Sequence, residues 1–359
     1  MRVLQVLPGL KTDGIAVVVT NFYRFMDKSE VQFDFAVENK LKNKYDDFIE
    51  ENGGRIFRLP SHTSRFGMFG YCKSLAKLIK EQKYPVVHIH SNSSILLYLG
   101  GLAAKMSGVH PKVIFSSHSR SCEQKQLHAM FKPLIRKMAT KRFACSQPAG
   151  VHMYGKDSFT LLANAIEFQK YRYQEDRRQD KRAEYALENR YIVGFSGRIS
   201  PPKNPLFLID VFKRLKEKLP EAAMLICGDG IMMEQVKNKV SDEGVTDVIF
   251  TDHVTSTEDY LSAMDVCLFP SLYEGMPMAL LEAQANGLPC ICSENIPTEA
   301  VFGTKTSVIS LNEIDSWVEK LVDLSRNSVR CGFEGNPGDT GFDIHCEVNK
   351  LKEFYLSFS

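Results

Sequence analysis

Short apolar runs rich in β-branched residues recur along this chain, each followed by a longer stretch with helical periodicity. In the first half these runs are Val3–Leu7, Val31–Val37, Val86–His90, Lys112–Ser117 and Arg142–Ser146. In the second half they are Tyr191–Ser196, Ala222–Cys227, Val248–Thr251, Val266–Pro270, Pro289–Ser293 and Ser307–Ser310. A strand that is apolar on both faces must be covered on both, and consecutive parallel strands need a crossover helix. The pattern therefore predicts an α/β protein with doubly wound parallel sheets. With 359 residues, there is room for two such domains at about 150 residues each.

The stretch Phe168 to Arg190, FQKYRYQEDRRQDKRAEYALENR, is dense in both charge signs and poor in aliphatics. It is the predicted interdomain connection. The expected division is a Rossmann-like domain over 1–167, the connection over 168–190 and a second Rossmann-like domain over 191–342. In the remainder, about 343–359, Ile344, Val348, Leu351, Phe354 and Tyr355 fall at helical spacing. This predicts a terminal helix able to pack on either domain.

Composition narrows the class of function. A balance of 45 Lys+Arg against 43 Asp+Glu argues against nucleic acid as a partner, since that affinity comes mainly from phosphate neutralisation. The 9 Cys are scattered without CxxC pairs, and the odd number suits reduced thiols and a cytoplasmic location. The opening MRVLQVLPGL is too short for a signal-peptide core. No run reaches the roughly 20 apolar residues of a spanning helix; the nearest, Ser94–Met106, is broken by Gly100, Gly101 and Lys105.

In doubly wound sheets ligands lie beyond the carboxyl ends of the strands, where helix N-termini present free N–H groups. Three strand-to-helix turns carry suitable residues. The first runs from Pro8 to Ile15 and contains Asp13-Gly14; Gly14 permits close backbone approach by an anion. It lacks the GxGxxG pattern of dinucleotide binding, which disfavours a dehydrogenase. The second, GFSGRISPPKNP over 194–205, flanks a turn with a guanidinium, Arg198, and an ammonium, Lys203, two cations suited to one diphosphate. The third, SLYEGMPMALLEA over 271–283, has Pro277 as a helix start and Asn286-Gly287 as a stop, predicting a helix over Pro277–Ala285. Glu274 then lies outside that helix and Glu282 inside it. Joined by continuous helix they would stand roughly 12 Å apart, suited to the two ends of an elongated ligand.

Together these segments resemble the GT-B glycosyltransferases of the large retaining family 4, and in particular bacterial exopolysaccharide and capsule transferases. The Glu-x7-Glu element, GFSGRISPPKN, DGIAVVVTNFYR and SSHS stand in the family's order over nearly the whole chain. The resemblance implies two Rossmann-like domains facing a central cleft that closes over substrate. It also implies a nucleotide-diphosphate sugar as donor, a glycan or polyprenyl-diphosphate-linked saccharide as acceptor, and no separate cofactor. By resemblance Glu274 contacts the donor sugar, with Gly275 and Met276 beside it, and Glu282 holds the ribose hydroxyls. Arg198 and Lys203 grip the diphosphate and stabilise the leaving group, while His118 touches the donor sugar near the reaction centre and Gly14 approaches from the other domain. Asp252, His253 and Val254 line the base pocket, with uracil as the expected base. Catalysis is expected to need no metal, the paired cations supplying that charge.

Two positions depart from the family pattern: Asp13 stands where a second glycine is common, and Asp252 replaces a frequent glycine. Gly228-Asp229-Gly230 reads as a turn, and Asn164 as a structural residue. A further expectation concerns 120–142, where Arg120, Lys125, Lys132, Arg136, Lys137, Lys141 and Arg142 accompany an apolar stripe of Leu127, Met130, Phe131, Leu134, Ile135 and Met138. That combination suits peripheral contact with an anionic membrane at the inner face. The competing readings are a nucleotide-sugar epimerase on the same fold and a non-catalytic nucleotide-sugar-binding subunit.

Overall fold

Apolar strand–helix alternation resolves into two sheets in a computed structural model that describes residues 1–10, 14–38, 41–119, 125–156, 158–252 and 254–358, with Arg65 by its backbone only. Among these residues the first sheet comprises β1 (Arg2–Leu7), β2 (Gln32–Val37), β3 (Ile56–Arg58), β4 (Val86–Ser91), β5 (Lys112–Ser117), β6 (Lys141–Ala144) and β7 (Thr160–Leu161). The second comprises β8 (Tyr191–Ser196), β9 (Ala222–Cys227), β10 (Val248–Phe250), β11 (Val266–Phe269), β12 (Cys290–Ser293) and β13 (Thr306–Ile309). Their orders are β3-β2-β1-β4-β5-β6-β7 and β10-β9-β8-β11-β12-β13. Every pairing is parallel. Both are doubly wound Rossmann-like sheets, the architecture of the GT-B fold.

The chain divides into one unit of Met1–Ala165 with Gly341–Ser359 and another of Ile166–Thr340. The charged segment 168–190 differs from its reading as a connection: it folds within the second unit as helices Phe168–Tyr171 and Glu175–Glu184. The cause is a set of directed contacts. Arg178 donates to the carbonyls of Ser262, Ala263 and Met264 and reaches the Asp265 carboxylate at 2.5 Å. Arg182 donates to the Ala263 carbonyl and to Asp265 at 2.6 Å. Asp265 also accepts from the Ile192 amide at 2.7 Å, which locks the entrance of β8.

The terminal helix Ile344–Leu356 is capped by Asp343, whose carboxylate accepts from the Cys346 amide. It buries Ile344, Val348, Leu351 and Tyr355 in the first unit, in one core with Val18, Val19 and Phe22 of helix Gly14–Phe25 and with Phe33 and Phe35 of β2. The second core is built on Trp317, Phe212, Phe195 and Leu208. No helix among the described residues is long and apolar enough to cross a membrane.

Replacing Asp265 by Ala removes the counter-charge of two enclosed guanidiniums and the acceptor of the Ile192 amide. It is expected to destabilise the second unit by about 2–4 kcal/mol. A urea denaturation midpoint equal to that of the wild type would contradict this account.

Candidate active site

In the second sheet β8 lies between β9 and β11, so the connections leaving β8 and β11 run to opposite sides. Above their carboxyl ends the two loops diverge, and a crevice opens there by topology alone. Arg198 and Lys203 follow β8, and Glu274 follows β11, just before the helix Met278–Ala285. Pro205 opens the helix Pro205–Lys218, with Asn204 in a left-handed conformation ahead of it. Both loops therefore end at helix N-termini whose first amides have no intrahelical partner.

The loops are tied together. The Leu272 amide donates to the Pro202 carbonyl at 2.8 Å, and the Ser293 hydroxyl donates to the Ser271 carbonyl at 2.6 Å. Lys203 and Glu274, both largely enclosed, form a direct ion pair, and the same carboxylate oxygen accepts from the Ser271 hydroxyl at 2.9 Å. Arg198 is exposed and has no acidic partner among the described residues. The crevice thus holds one ammonium already engaged and one guanidinium free.

Glu282 lies inside the helix as expected, whereas Glu274 stands in the loop, so helical rise separates them only from Met278 onward. The Tyr171 hydroxyl donates to Glu282 at 2.9 Å. Although the residue keeps some open surface, its carboxyl group is set deep, and burial pushes its pKa up to about 7 against the pull of Tyr171, Lys170 and Lys203. Gly275 is partly exposed beside Glu274, and Met276 is buried.

The turn after β9 presses on the Arg198 loop. A Cβ on Gly228 would lie 1.9 Å from the Gly197 carbonyl oxygen, and one on Gly230 would lie 2.2 Å from that of Ile199. Only glycine fits there, so Gly228 and Gly230, read from sequence as a turn, shape the Arg198 loop. The Gly228 amide donates to the Asp252 carbonyl at 2.9 Å. Asp252 has φ of +54°, a region that glycine enters freely and that Asp tolerates better than most residues. That accounts for its standing where glycine is common. Val254 lies partly buried on the same loop; His253 lies outside the described residues, as does Asp13.

In the first unit helix Gly14–Phe25 begins at Gly14, where a Cβ would meet nothing within 4 Å. His118 follows β5. Its Nε2 lies 3.0 Å from His90 Nδ1, and its Nδ1 is buried without a hydrogen-bond partner. Burial pushes His118 down to about 4, partly opposed by the Asn164 side chain. Sequence reading missed His90, Gln5 and Tyr171 and took Asn164 as structural. The available signal was a polar residue inside an otherwise apolar strand, as in VVHIHS and RVLQVL. An open pocket along Phe302, Lys305 and Phe333 contains none of the expected site residues.

The apolar stripe expected within 120–142 is not one face. Residues 120–124 lie outside the described residues, and the rest breaks at Pro133 into a helix, Lys125–Phe131, and a 3-10 turn, Leu134–Lys137. Ile135 turns inward, whereas Leu127, Met130 and Leu134 stay exposed beside exposed Lys125 and Lys137. Lys132 is held by the carbonyls of Val151 and His152.

Comparisons with known proteins show the family and the fold. Residues 190–327 match the family described as Glycosyl transferases group 1, and 12–145 match Glycosyl transferase 4-like. The chain is 31% identical to the putative glycosyltransferase EpsF of Bacillus subtilis (strain 168), over 99% of this chain and 96% of that one. It is 28% identical to the UDP-Gal:alpha-D-GlcNAc-diphosphoundecaprenol alpha-1,3-galactosyltransferase of Escherichia coli, over 90% and 89% of the two chains. Among solved structures, Anabaena Alr3699/HepE in complex with UDP has the same fold, with a TM-score of 0.82 at 15% identity over 99% of this chain and 100% of that one.

Folding raises the Glu282 pKa from its ordinary 4.5 to about 7, so the folded chain takes up a proton between those values. The stability this group contributes is therefore present at low pH and is lost as pH rises through that window. In ligand-free thermal melts Glu282→Gln is expected to melt above the wild type at about pH 8 and to converge with it near about pH 5. Parallel melting curves across that range would refute the assignment.

Proposed function

This chain belongs to the glycosyl transferases of group 1 and is a glycosyltransferase of the exopolysaccharide and capsule type, and we propose that it moves a hexose or N-acetylhexosamine from a UDP-sugar to a lipid-linked saccharide or glycan with retention of anomeric configuration. The observation that carries this reading is the Lys203–Glu274 ion pair with unpaired Arg198 at the switch point of the second sheet. A diphosphate arriving there meets the Arg198 guanidinium directly. It competes with Glu274 for the Lys203 ammonium, which frees that carboxylate to accept sugar hydroxyls. As the glycosidic bond breaks, both cations face the charge gathering on the leaving diphosphate. Glu282, its carboxyl group bonded by Tyr171, suits the two ribose hydroxyls at the other end, with Gly275 and Met276 between. The backbone loop around Asp252 and Val254 suits the base. His118 and Gly14 are assigned to sugar and acceptor recognition in the first unit. The reaction needs no divalent ion in this reading, because Arg198 and Lys203 carry its charge.

Support for the donor comes from Anabaena HepE, a structural relative seen with UDP and with UDP-glucose. Support for the acceptor comes from the Escherichia coli relative, named for a diphosphoundecaprenol-linked saccharide. Such an acceptor sits at a bilayer surface, and exposed Leu127, Met130 and Leu134 beside Lys125 and Lys137 suit peripheral contact with anionic lipid.

With a UDP-sugar and a lipid-linked acceptor, Arg198→Ala and Lys203→Ala are each expected to lower kcat/KM by about 10²–10³-fold. The product should keep the donor's anomeric configuration by NMR, and a chelator should leave the rate unchanged. Donor isomerisation without acceptor, or full activity in both variants, would overturn the reading. Wild-type protein is expected to co-sediment with phosphatidylglycerol vesicles and a Lys125→Glu/Lys137→Glu variant to remain in the supernatant; equal binding removes the membrane contact.

A further inference from the structure

The Asn286-Gly287 pair, read from sequence as a helix stop, is also where three distant segments of the second unit meet. Helix Met278–Ala285 ends there, with Asn286 as its C-cap and Gly287 at φ +71°. A Cβ on Gly287 would lie 2.3 Å from the Gly332 carbonyl carbon and 2.6 Å from the Cys331 carbonyl oxygen, so only glycine lets the later segment pass. That close passage delivers Arg330 to the carboxyl end of the helix, where a cation is favoured. Its Nη1 donates to the Gly287 carbonyl at 3.0 Å and its Nη2 to Asn286 Oδ1. The guanidinium also lies 4.6 Å from the centre of the Tyr173 ring.

On its other side Asn286 Nδ2 donates to the Tyr171 carbonyl at 2.8 Å and to Ser262 Oγ at 3.2 Å. This orientation has no alternative: arginine offers only donors and a carbonyl only lone pairs, so turning the amide over would break both contacts. Asn286 is fully buried, and such a reversal would strand polar groups on both sides of it. Burial draws the Arg330 pKa down to about 10, which keeps the guanidinium charged at neutral pH. Asn286 and Glu282 are one helical turn apart, the Asn286 amide donating to the Glu282 carbonyl at 3.0 Å, and so share a face. Tyr171 lies along that face, held at its carbonyl by Asn286 and reaching Glu282 Oε1 with its hydroxyl at 2.9 Å.

Resting on the transferase reading, in which Glu282 receives the ribose hydroxyls, we propose that Arg330 and Asn286 are positioning residues for the ribose of the donor. They act through Tyr171. The guanidinium fixes the Asn286 amide, the amide fixes the Tyr171 main chain, and the Tyr171 hydroxyl fixes one oxygen of Glu282. A carboxylate pinned at one oxygen presents its remaining lone pairs in one plane, the geometry that two neighbouring hydroxyls require. With the relay cut, Glu282 stays on its helix while its carboxylate turns between rotamers. An apolar residue could fill the same space at a helix end; a guanidinium and an amide add direction, and that direction leads to Glu282.

The test is calorimetric titration of the whole chain with UDP and with 2′-deoxy-UDP. The wild type is expected to bind UDP at least about tenfold more tightly, since the deoxy ligand lacks one donor to a charged acceptor. Asn286→Asp keeps the size and the Arg330 contact but sets an acceptor against the Tyr171 carbonyl, whereas Arg330→Lys loses the forked contact with Asn286 and Gly287. Each should bring the ratio down to about threefold or less. Tyr171→Phe should do the same, and adding Asn286→Asp to it should lower the ratio no further, because both act through one hydroxyl. Trp317→Phe, in the core away from this line, should lower the melting temperature and leave the ratio at its wild-type value, which separates positioning from loss of stability. A wild-type ratio in Tyr171→Phe, which keeps every main-chain contact, or in folded Asn286→Asp and Arg330→Lys, overturns the proposal, as does an additive loss in the double variant. A wild type that does not distinguish the two ligands defeats the ribose reading of Glu282 itself, and this inference with it.

Discussion

The Lys203 ammonium against the Glu274 carboxylate is the contact around which the candidate site of the second unit is arranged. It exists because two loops that leave adjacent strands in opposite directions are joined by the Leu272–Pro202 hydrogen bond, while Ser293 at the end of β12 fixes the second loop through Ser271. Without that stitching, a lysine and a glutamate 71 residues apart would sit on separate solvated loops. Held together in a largely enclosed crevice, the two charges neutralise each other. An exposed pair of this kind would contribute little, because solvent and entropy cancel most of its attraction.

A second theme is the tyrosine hydroxyl used as an anchor beneath a polar group. Tyr171 donates to Glu282, and Tyr355 bridges Gln5 and His88. Both tyrosines come from segments that arrive late or indirectly in their unit: the charged stretch after Ala165 and the terminal helix. Each brings an apolar ring that packs and one hydroxyl that satisfies a group otherwise stranded in the core. In this way each segment brings a hydroxyl to a polar group of the interior.

Glycine at Gly228 and Gly230 belongs to the same logic. The backbone of the Arg198 loop passes so close to that turn that any side chain would collide with a carbonyl. The guanidinium is therefore presented by a loop whose path at Gly197 and Ile199 is set by main-chain packing.

Much of this was legible in the amino-acid order. Runs such as IVGFS and AAMLIC, apolar on both faces, dictate buried parallel strands, and Pro277 with Asn286-Gly287 marks the helix that carries Glu282, because these signals act over a few neighbouring residues. The cations after β8 and the carboxylates after β11 were readable for the same reason. Tertiary structure alone decided that the Arg-rich stretch 168–190 would dock through Arg178 and Arg182 onto Asp265, since net charge says nothing about where a complementary carboxylate will fold. It alone chose the unit on which the terminal helix packs and joined Gln5, His90 and Tyr355 behind His118. Those contacts span up to 350 residues; local periodicity fixes which face a residue takes, but only the packed sheet brings distant faces within hydrogen-bonding distance.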